Sequence, residues 1–380
     1  MKNSFSPKHI TQLSNSWVLW FETSNQYLVI SNSTKVLLDV FLQSESEQDF
    51  EKRLKASLNH SQKNSKAYYT ELSEFLNAVN TSPKLDATDH QIDMPMLNTS
   101  YIVETYSFGK ISLAVNYGSQ AIQNLIHPQW AHATVLEGEI ASTVFEILQM
   151  DHHLYLFRNK TYIGHYAVTD YHLLQGQFAL QIINSLYNKT ESDWIATFHA
   201  STVCNDKEAI MIIGDSGNGK STLAAVLMAN GLDVLADDFS PLSAENQELY
   251  RFPSGISVKE GAFSTLKPMF QDFEQFPIYT STSKNVKIRY IPPMADFGKA
   301  ASHFPCQKIV MVNYDANAKS EMKTIRIEKV LETLIPESWL SPLALNSKLF
   351  LDWLKEVSCY ELTYSDNSIA VSQFKKLFDS

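Results

Sequence analysis

Gly214-Asp215-Ser216-Gly217-Asn218-Gly219-Lys220-Ser221, followed by Thr222, carries the pattern G-x-x-x-x-G-K-[ST]. The chemistry this spacing serves is the binding of a polyphosphate. Glycines let consecutive backbone N–H groups turn inward around an anion, and a helix opening after the loop adds the partial positive charge of its first turn. A lysine at that point reaches the outer phosphates, and the serine hydroxyl can join the shell of a magnesium ion. Such a loop must follow a strand and open a helix. Ala209–Ile213 is a continuous apolar run, and Ser221–Asn230 repeats its apolar residues at helical spacing. With only 12 glycines in 380 residues, an accidental glycine turn of this form is a poor alternative. The expected ligands are ATP and Mg2+, with Gly214–Thr222 as the nucleotide-binding residues.

The residues that would turn binding into catalysis lie close by. Gly231 is placed as a C-terminal cap for the helix, and Leu232–Ala236 reads as a second strand ending in Asp237-Asp238. Two carboxylates in succession allow one to hold a metal while the other faces an acceptor hydroxyl. Upstream, Ile195–Val203 places His199 just before the strand that leads into the glycine loop. Taken singly, an Asp pair is usually a solvated turn, and a histidine before a strand is usually satisfied by a carbonyl. Their common proximity to the loop favours the functional reading.

The set His199-Ala200, Val203, Gly214–Leu223 and Leu235–Asp238 resembles the kinase domain of the HPr kinase/phosphorylase family, which shares its nucleotide core with phosphoenolpyruvate carboxykinases. It is closer still to the kinase-like proteins among peptide-tailoring enzymes, including lasso-peptide kinases. The resemblance implies that His199 and Asp238 sit near the acceptor hydroxyl and that Lys220 is catalytic. It also implies that Ser221 and one of the two aspartates, with Asp237 as the candidate, hold the metal. Where HPr kinases carry an E-x-R-G signature this chain has Phe252-Pro253-Ser254-Gly255-Ile256. That departure speaks against HPr as the substrate and against the reverse phosphorylase reaction. The family also implies a homo-oligomer.

Trp17–Phe21 and Tyr27–Ile30 read as a hairpin, followed by helical segments at Thr34–Leu42, Glu47–Leu58 and Lys66–Val79. This order over Ser16–Thr81, with YLVISNSTKVLLD at the junction, resembles the PqqD-like domain, a winged-helix-like α+β module that binds leader peptides. An exposed strand edge beside a helix can accept an extended peptide as an added strand. The resemblance therefore implies a peptide partner on residues 16–81. Residues 82–100, with two prolines and many turn formers, read as a linker. Tyr101–Tyr117 alternates as a hairpin turning at Gly109-Lys110, and Phe145–Leu148, Leu154–Phe157 and Thr161–Val168 add strands before a helix at His172–Asn188.

The expected fold is thus an α/β P-loop kinase core of the HPr kinase/phosphoenolpyruvate carboxykinase type over residues 191–380. A β-rich flank (101–190) and the small winged-helix-like domain (1–81) precede it. Within the core, Lys308–Asn313 reads as a buried strand, and Glu328–Leu334 and Leu345–Glu356 as helices. Lys287 and Arg289 fall on one face of an extended segment, where they would meet a triphosphate or an acidic acceptor, or simply solvent.

Composition sets the remaining bounds. A net charge of −10 argues against general binding to nucleic acid or anionic membranes. Cys204, Cys306 and Cys359 show no paired spacing and suit reduced thiols. His127, His132, His152, His153, His165 and His172 follow no standard zinc spacing. With no signal-peptide pattern and no apolar stretch of spanning length, a cytoplasmic location is expected. The expectation for function is an ATP- and Mg-dependent kinase of a Ser/Thr hydroxyl in a ribosomally made precursor peptide. The rivals are a kinase of a free metabolite and a nucleotide-gated scaffold that transfers nothing.

Overall fold

The computed structural model describes residues 5–58, 65–81, 101–135, 140–280 and 286–380. The linker expected at 82–100 lies outside them, as does Lys284. The chain is mixed α/β, built on several sheets.

The N-terminal part is a three-stranded antiparallel sheet, β1 (His9–Leu13), β2 (Ser16–Phe21) and β3 (Gln26–Ser31), then three helices: α1 (Asn32–Gln43), α2 (Glu47–Leu58) and α3 (Ser65–Val79). The expected hairpin and helices are all present; β1 is additional. Strand alternation explains how the sheet is used. Leu19 and Phe21 point to the helices, where they pack with Phe41, Phe50 and Leu76. Val18 and Trp20, one residue out of phase, join Leu13 and Tyr27 in the core of the following domain. Tyr27 meets Phe350 edge-on at 5.3 Å, and Asn25 Nδ2 donates to the Leu340 carbonyl at 2.9 Å. The module is therefore docked through a buried apolar face rather than only tethered.

The flank is a five-stranded sheet in chain order: β4 (Ile102–Phe108), β5 (Ile111–Tyr117), β6 (Thr143–Met150), β7 (His153–Arg158) and β8 (Thr161–Ala167). The β4–β5 turn falls at Gly109, whose φ of +65° is the left-handed conformation such a turn asks for. α4 (Gln120–Ile126) bridges β5 to β6. α5 (Tyr171–Tyr187) ends on Asn188 in the left-handed conformation and covers the sheet with Leu174, Phe178 and Ile182.

The core begins with β9 (Trp194–Phe198), β10 (Ser201–Cys204), β11 (Ala209–Ile213), α6 (Lys220–Ala229), β12 (Asp233–Ala236), β13 (Ser240–Ser243) and β14 (Glu248–Tyr250). β15 (Ile256–Lys259), α7 (Phe263–Leu266), β16 (Tyr279–Thr280) and β17 (Lys287–Ile291) form a small antiparallel layer over α6. The chain closes with β18 (His303–Tyr314), β19 (Glu321–Thr324), α8 (Ile327–Leu334), β20 (Ser338–Leu340), α9 (Ala344–Trp353), β21 (Ser358–Tyr364) and α10 (Asn367–Phe378). The large sheet runs β12-β10-β11-β18-β14-β13-β9-β20, with β21 paired to β18 on its far stretch. β11, β18 and β21 are parallel neighbours, so their carboxyl ends open together on one edge. In α/β sheets that edge is where ligands bind.

Arg251 anchors the edge strand β12. It is 3% exposed and donates to Asp233 Oδ2 (2.5 Å), the Val234 carbonyl (3.1 Å) and the Ala301 carbonyl (3.1 Å). Removing a buried partner strands the others without solvent. Arg251→Met should therefore lower stability by about 3 kcal/mol, read as a fall in the urea midpoint at unchanged slope. An unchanged midpoint would mean that β12 is held without the arginine.

Cys204, Cys306 and Cys359 are free and buried, and burial pushes each thiol up to about 12. Buried apolar thiols of this kind are inert. Among the described residues no group of three or more His, Cys, Asp or Glu could hold a metal, and no helix is long and apolar enough to cross a membrane.

Candidate functional site

Residues 214–219 join β11 to α6. Gly214 has φ +149° and lies so close to β18 that a Cβ there would sit 2.7 Å from the Val312 carbonyl oxygen. Gly219, at φ +89°, is the N-cap of α6, and no side chain caps that helix. The N–H groups of its first turn thus have no side-chain acceptor and are free for an anion. Lys220 opens α6, is 8% exposed, and its ammonium folds back to donate to the Gly214 carbonyl. Burial holds that ammonium below the usual lysine range, while Asp238, Glu337, Asp237 and Asp215 pull the other way. A cation desolvated among carboxylates is well placed to act on a bound polyanion.

His199 and Asp238 meet because two chain segments bend at the same place. β9 passes into β10 through His199-Ala200, and β12 into β13 through Asp237-Asp238-Phe239. On one side of the bend Phe198 pairs with Ser240; on the other Thr202 pairs with Ala236. Ser240 Oγ locks the corner by donating to the Ala200 carbonyl at 3.0 Å. His199 Nδ1 then lies 3.1 Å from Asp238 Oδ1, and its Nε2 lies 3.9 Å from Glu337 Oε2.

The two aspartates, which sequence leaves interchangeable, differ sharply. Asp237 is 1% exposed and its carboxylate is spoken for. Ser201 Oγ donates to Oδ1 at 2.5 Å, the Ser257 N–H donates to Oδ2 at 3.0 Å, and the Ser221 hydroxyl also hydrogen-bonds it. Burial, then the neighbouring Asp238, push its pKa up to about 6. Among the described residues no ion pair forms to it, and the Lys220 ammonium acts on it only from farther away. Magnesium takes hard oxygen donors and needs only one or two carboxylates beside phosphate and water. The pair Ser221 and Asp237 fits that requirement. Asp238, by contrast, has a side chain 59% exposed and φ +66°. A left-handed non-glycine residue is strained, and here the strain turns the carboxylate toward His199 and solvent.

A cavity of about 420 Å3 joins these groups. Of the expected residues, His199, Asp215, Ser216, Gly217, Gly219, Lys220, Ser221, Thr222 and Asp238 line it. Gly214 and Asn218 shape the loop from behind, Asn218 by accepting the Tyr314 N–H at 3.3 Å. Asp237 sits beneath the floor. The expected cation face on β17 is used differently: Arg289 donates to the Phe273 and Phe276 carbonyls and stacks on Phe263 and Phe273. Neither Lys287 nor Arg289 lines the cavity. Its second cation is Lys259 at the end of β15, which has no ion pair among the described residues.

Sequence reasoning also missed Glu337, Tyr314, Tyr364 and Asn367. The tyrosines had one available signal: each ends a strand that runs parallel to β11. A second cavity, about 370 Å3, lies at the seam between Leu13 and Tyr360 and holds none of these groups.

No family model and no curated protein matches the chain. Among solved structures it is similar to the Hpr(Ser) kinase/phosphatase from Coxiella burnetii, at 14% sequence identity and a TM-score of 0.23. The match covers 48% of this chain and 96% of that one. A likeness this loose assigns neither an activity nor a residue.

Proposed function

We propose that the chain is an ATP- and magnesium-dependent kinase that phosphorylates a Ser/Thr-type hydroxyl, most economically one in a peptide. The observation that carries it is the juxtaposition of a buried lysine at the glycine loop with the exposed Asp238–His199 pair across a single cavity. Backbone N–H groups of residues 216–221 bind the phosphates. The acceptor oxygen attacks the γ-phosphorus as the bond to the β,γ-bridging oxygen breaks, and ADP leaves with that electron pair. Asp238 takes the hydroxyl proton, and His199, held between Asp238 and Glu337, orients it. Lys220 meets the charge developing on the transferred γ-phosphoryl group. Magnesium would be held by Ser221 and Asp237 and would neutralise phosphate charge. Catalysis of this kind is positioning and electrostatics.

The peptide reading draws support from β3. Its outer edge is unpaired among the described residues, and Val29 on that strand is 39% exposed. An open edge can accept an extended segment as a fourth strand, which raises the local concentration of the acceptor.

The test is transfer from γ-labelled ATP to precursor peptides encoded near the gene, with free serine as control. Deleting residues 1–81 would bare Phe350, so the peptide should be shortened instead of the protein. A leader-guided kinase labels the full peptide and loses kcat/KM by about 100-fold or more when the leader is removed. Equal labelling of leaderless peptide or of free serine would favour a kinase of small acceptors. ATP binding with no transfer to any acceptor would favour the scaffold.

A further inference from the structure

The catalytic groups occupy one side of the cavity, toward β10 and β12. The opposite side is built by the carboxyl ends of β18 and β21, which contribute Tyr314 and Tyr364, and by the first residue of α10, Asn367. We propose that this second side is a purine-base site, with Tyr314 as the stacking platform and Asn367 as the edge reader. The inference rests on the nucleotide reading above and adds the groups that would recognise the base.

Chain direction sets the polarity. A triphosphate whose γ end lies at Lys220 and Asp238 carries its nucleoside away from β12, along the row of parallel strands β11, β18 and β21. Ligands in such sheets lie across those carboxyl ends. The flank nearer Asp238 offers Ser257, Lys259, Gly261, Ala262 and Thr265, polar or small groups that suit phosphate and acceptor but present no ring. Apart from the His199 imidazole, which is engaged beside Asp238, the rings in the cavity lining are Tyr314 and Tyr364.

Their environments differ in the way a platform needs. Tyr364 is 1% exposed, and Tyr314 is 49% exposed. The two rings meet at 5.4 Å and 68°, so the buried ring props the open one edge-on and leaves it a free face. The platform is also indexed to the loop. The Tyr314 N–H donates to the Asn218 carbonyl at 3.3 Å, and the Asp315 N–H donates to the Tyr364 carbonyl at 3.0 Å. A Cβ at Gly219 would stand 3.1 Å from the Tyr364 hydroxyl. Ring and phosphate cradle are therefore tied directly to each other.

Asn367 supplies selectivity. Its amide makes no hydrogen bond among the described residues, because the cap of α10 is formed by Asp366, which accepts from the Ser368 N–H at 2.7 Å. Stacking on a ring tolerates any base. A carboxamide, offering one donor and one acceptor side by side, matches the N6/N7 edge of adenine.

Binding to full-length protein decides the matter, with magnesium salts of ATP and UTP and with inorganic tripolyphosphate as probes. Tyr314→Ala should weaken ATP about 10-fold, as loss of one aromatic stack does, and leave tripolyphosphate binding unchanged. Tyr314→Phe should restore ATP affinity, and Asn367→Ala should shrink the preference for ATP over UTP. Unchanged ATP affinity in Tyr314→Ala overturns the site, and so does an equal loss for ATP and tripolyphosphate, which would mark a loop effect. Wild-type protein that binds tripolyphosphate as tightly as ATP also overturns it, while leaving the phosphate cradle intact. Wild-type protein that binds neither overturns the nucleotide reading itself.

Discussion

Asp238→Asn should reduce phosphoryl transfer by about 10²–10⁴-fold, the range a positioned general base contributes, with ATP affinity held within about twofold. The substitution is chosen for the backbone as much as for the charge. Asp238 sits at φ +66°, and asparagine is among the few side chains that tolerate the left-handed region. The corner that presents the group should therefore survive. Asn also keeps an oxygen facing His199 Nδ1, so the histidine is not left without a neighbour. What disappears is the ability to accept a proton. The measurement is single-turnover transfer beside equilibrium ATP binding. Full activity in Asp238→Asn would remove the base from Asp238 and throw weight on His199. Matched losses in transfer and binding would mean that the carboxylate organises the cavity instead.

Lys220→Ala should lower transfer by about 10²–10³-fold, the usual effect of deleting one electrostatic contact made to the transition state, and should weaken ATP as well. Lys220 is the first residue of α6 and its ammonium is bonded inside the loop. Alanine is the best helix former, so α6 should persist. The carboxylates of Asp238, Glu337, Asp237 and Asp215, which all act on this ammonium, would then face the phosphates without their neutralising neighbour. Repulsion adds to the lost contact. Comparing ATP with ADP separates the effects: a lysine aimed at the outer phosphate costs ATP more affinity than ADP. An equal loss for both would place the ammonium at the inner phosphates.

Much of this site is legible in the residues. Gly214–Ser221 announces strand, loop and helix because a phosphate cradle demands those three in that order, and β11 and α6 appear within a residue of expectation. The flank strands read well because their large apolar residues alternate: β4 buries Tyr106 and Phe108, and β5 buries Leu113, Val115 and Tyr117 with the small Ala114 covered between them. β1 was invisible because HITQL carries two apolar residues and its burial depends on a neighbouring domain. α10 was passed over although Ala370, Val371, Phe374 and Leu377 recur at helical spacing; they pack against both α6 and β21. Arg289 shows the opposite error. A cation on an extended segment looks available until the loop carbonyls of Phe273 and Phe276 are seen to claim it.

The types and spacing of His199, Lys220, Ser221, Asp237 and Asp238 are local properties, and the chain alone determined that a glycine loop of the polyphosphate-binding pattern and an acid–histidine pair belong to one neighbourhood. Which aspartate is buried and which is exposed is not local. Burial is set by Ser201, Ser257 and the bend shared by β9–β10 and β12–β13. The same holds for Tyr314 and Asn367, which reach the cavity from distant parts of the chain, and for Glu337, which comes up beside His199. Side chains so far apart in sequence share no spacing that could betray them; only the packing of parallel strands brings their ends to a common edge.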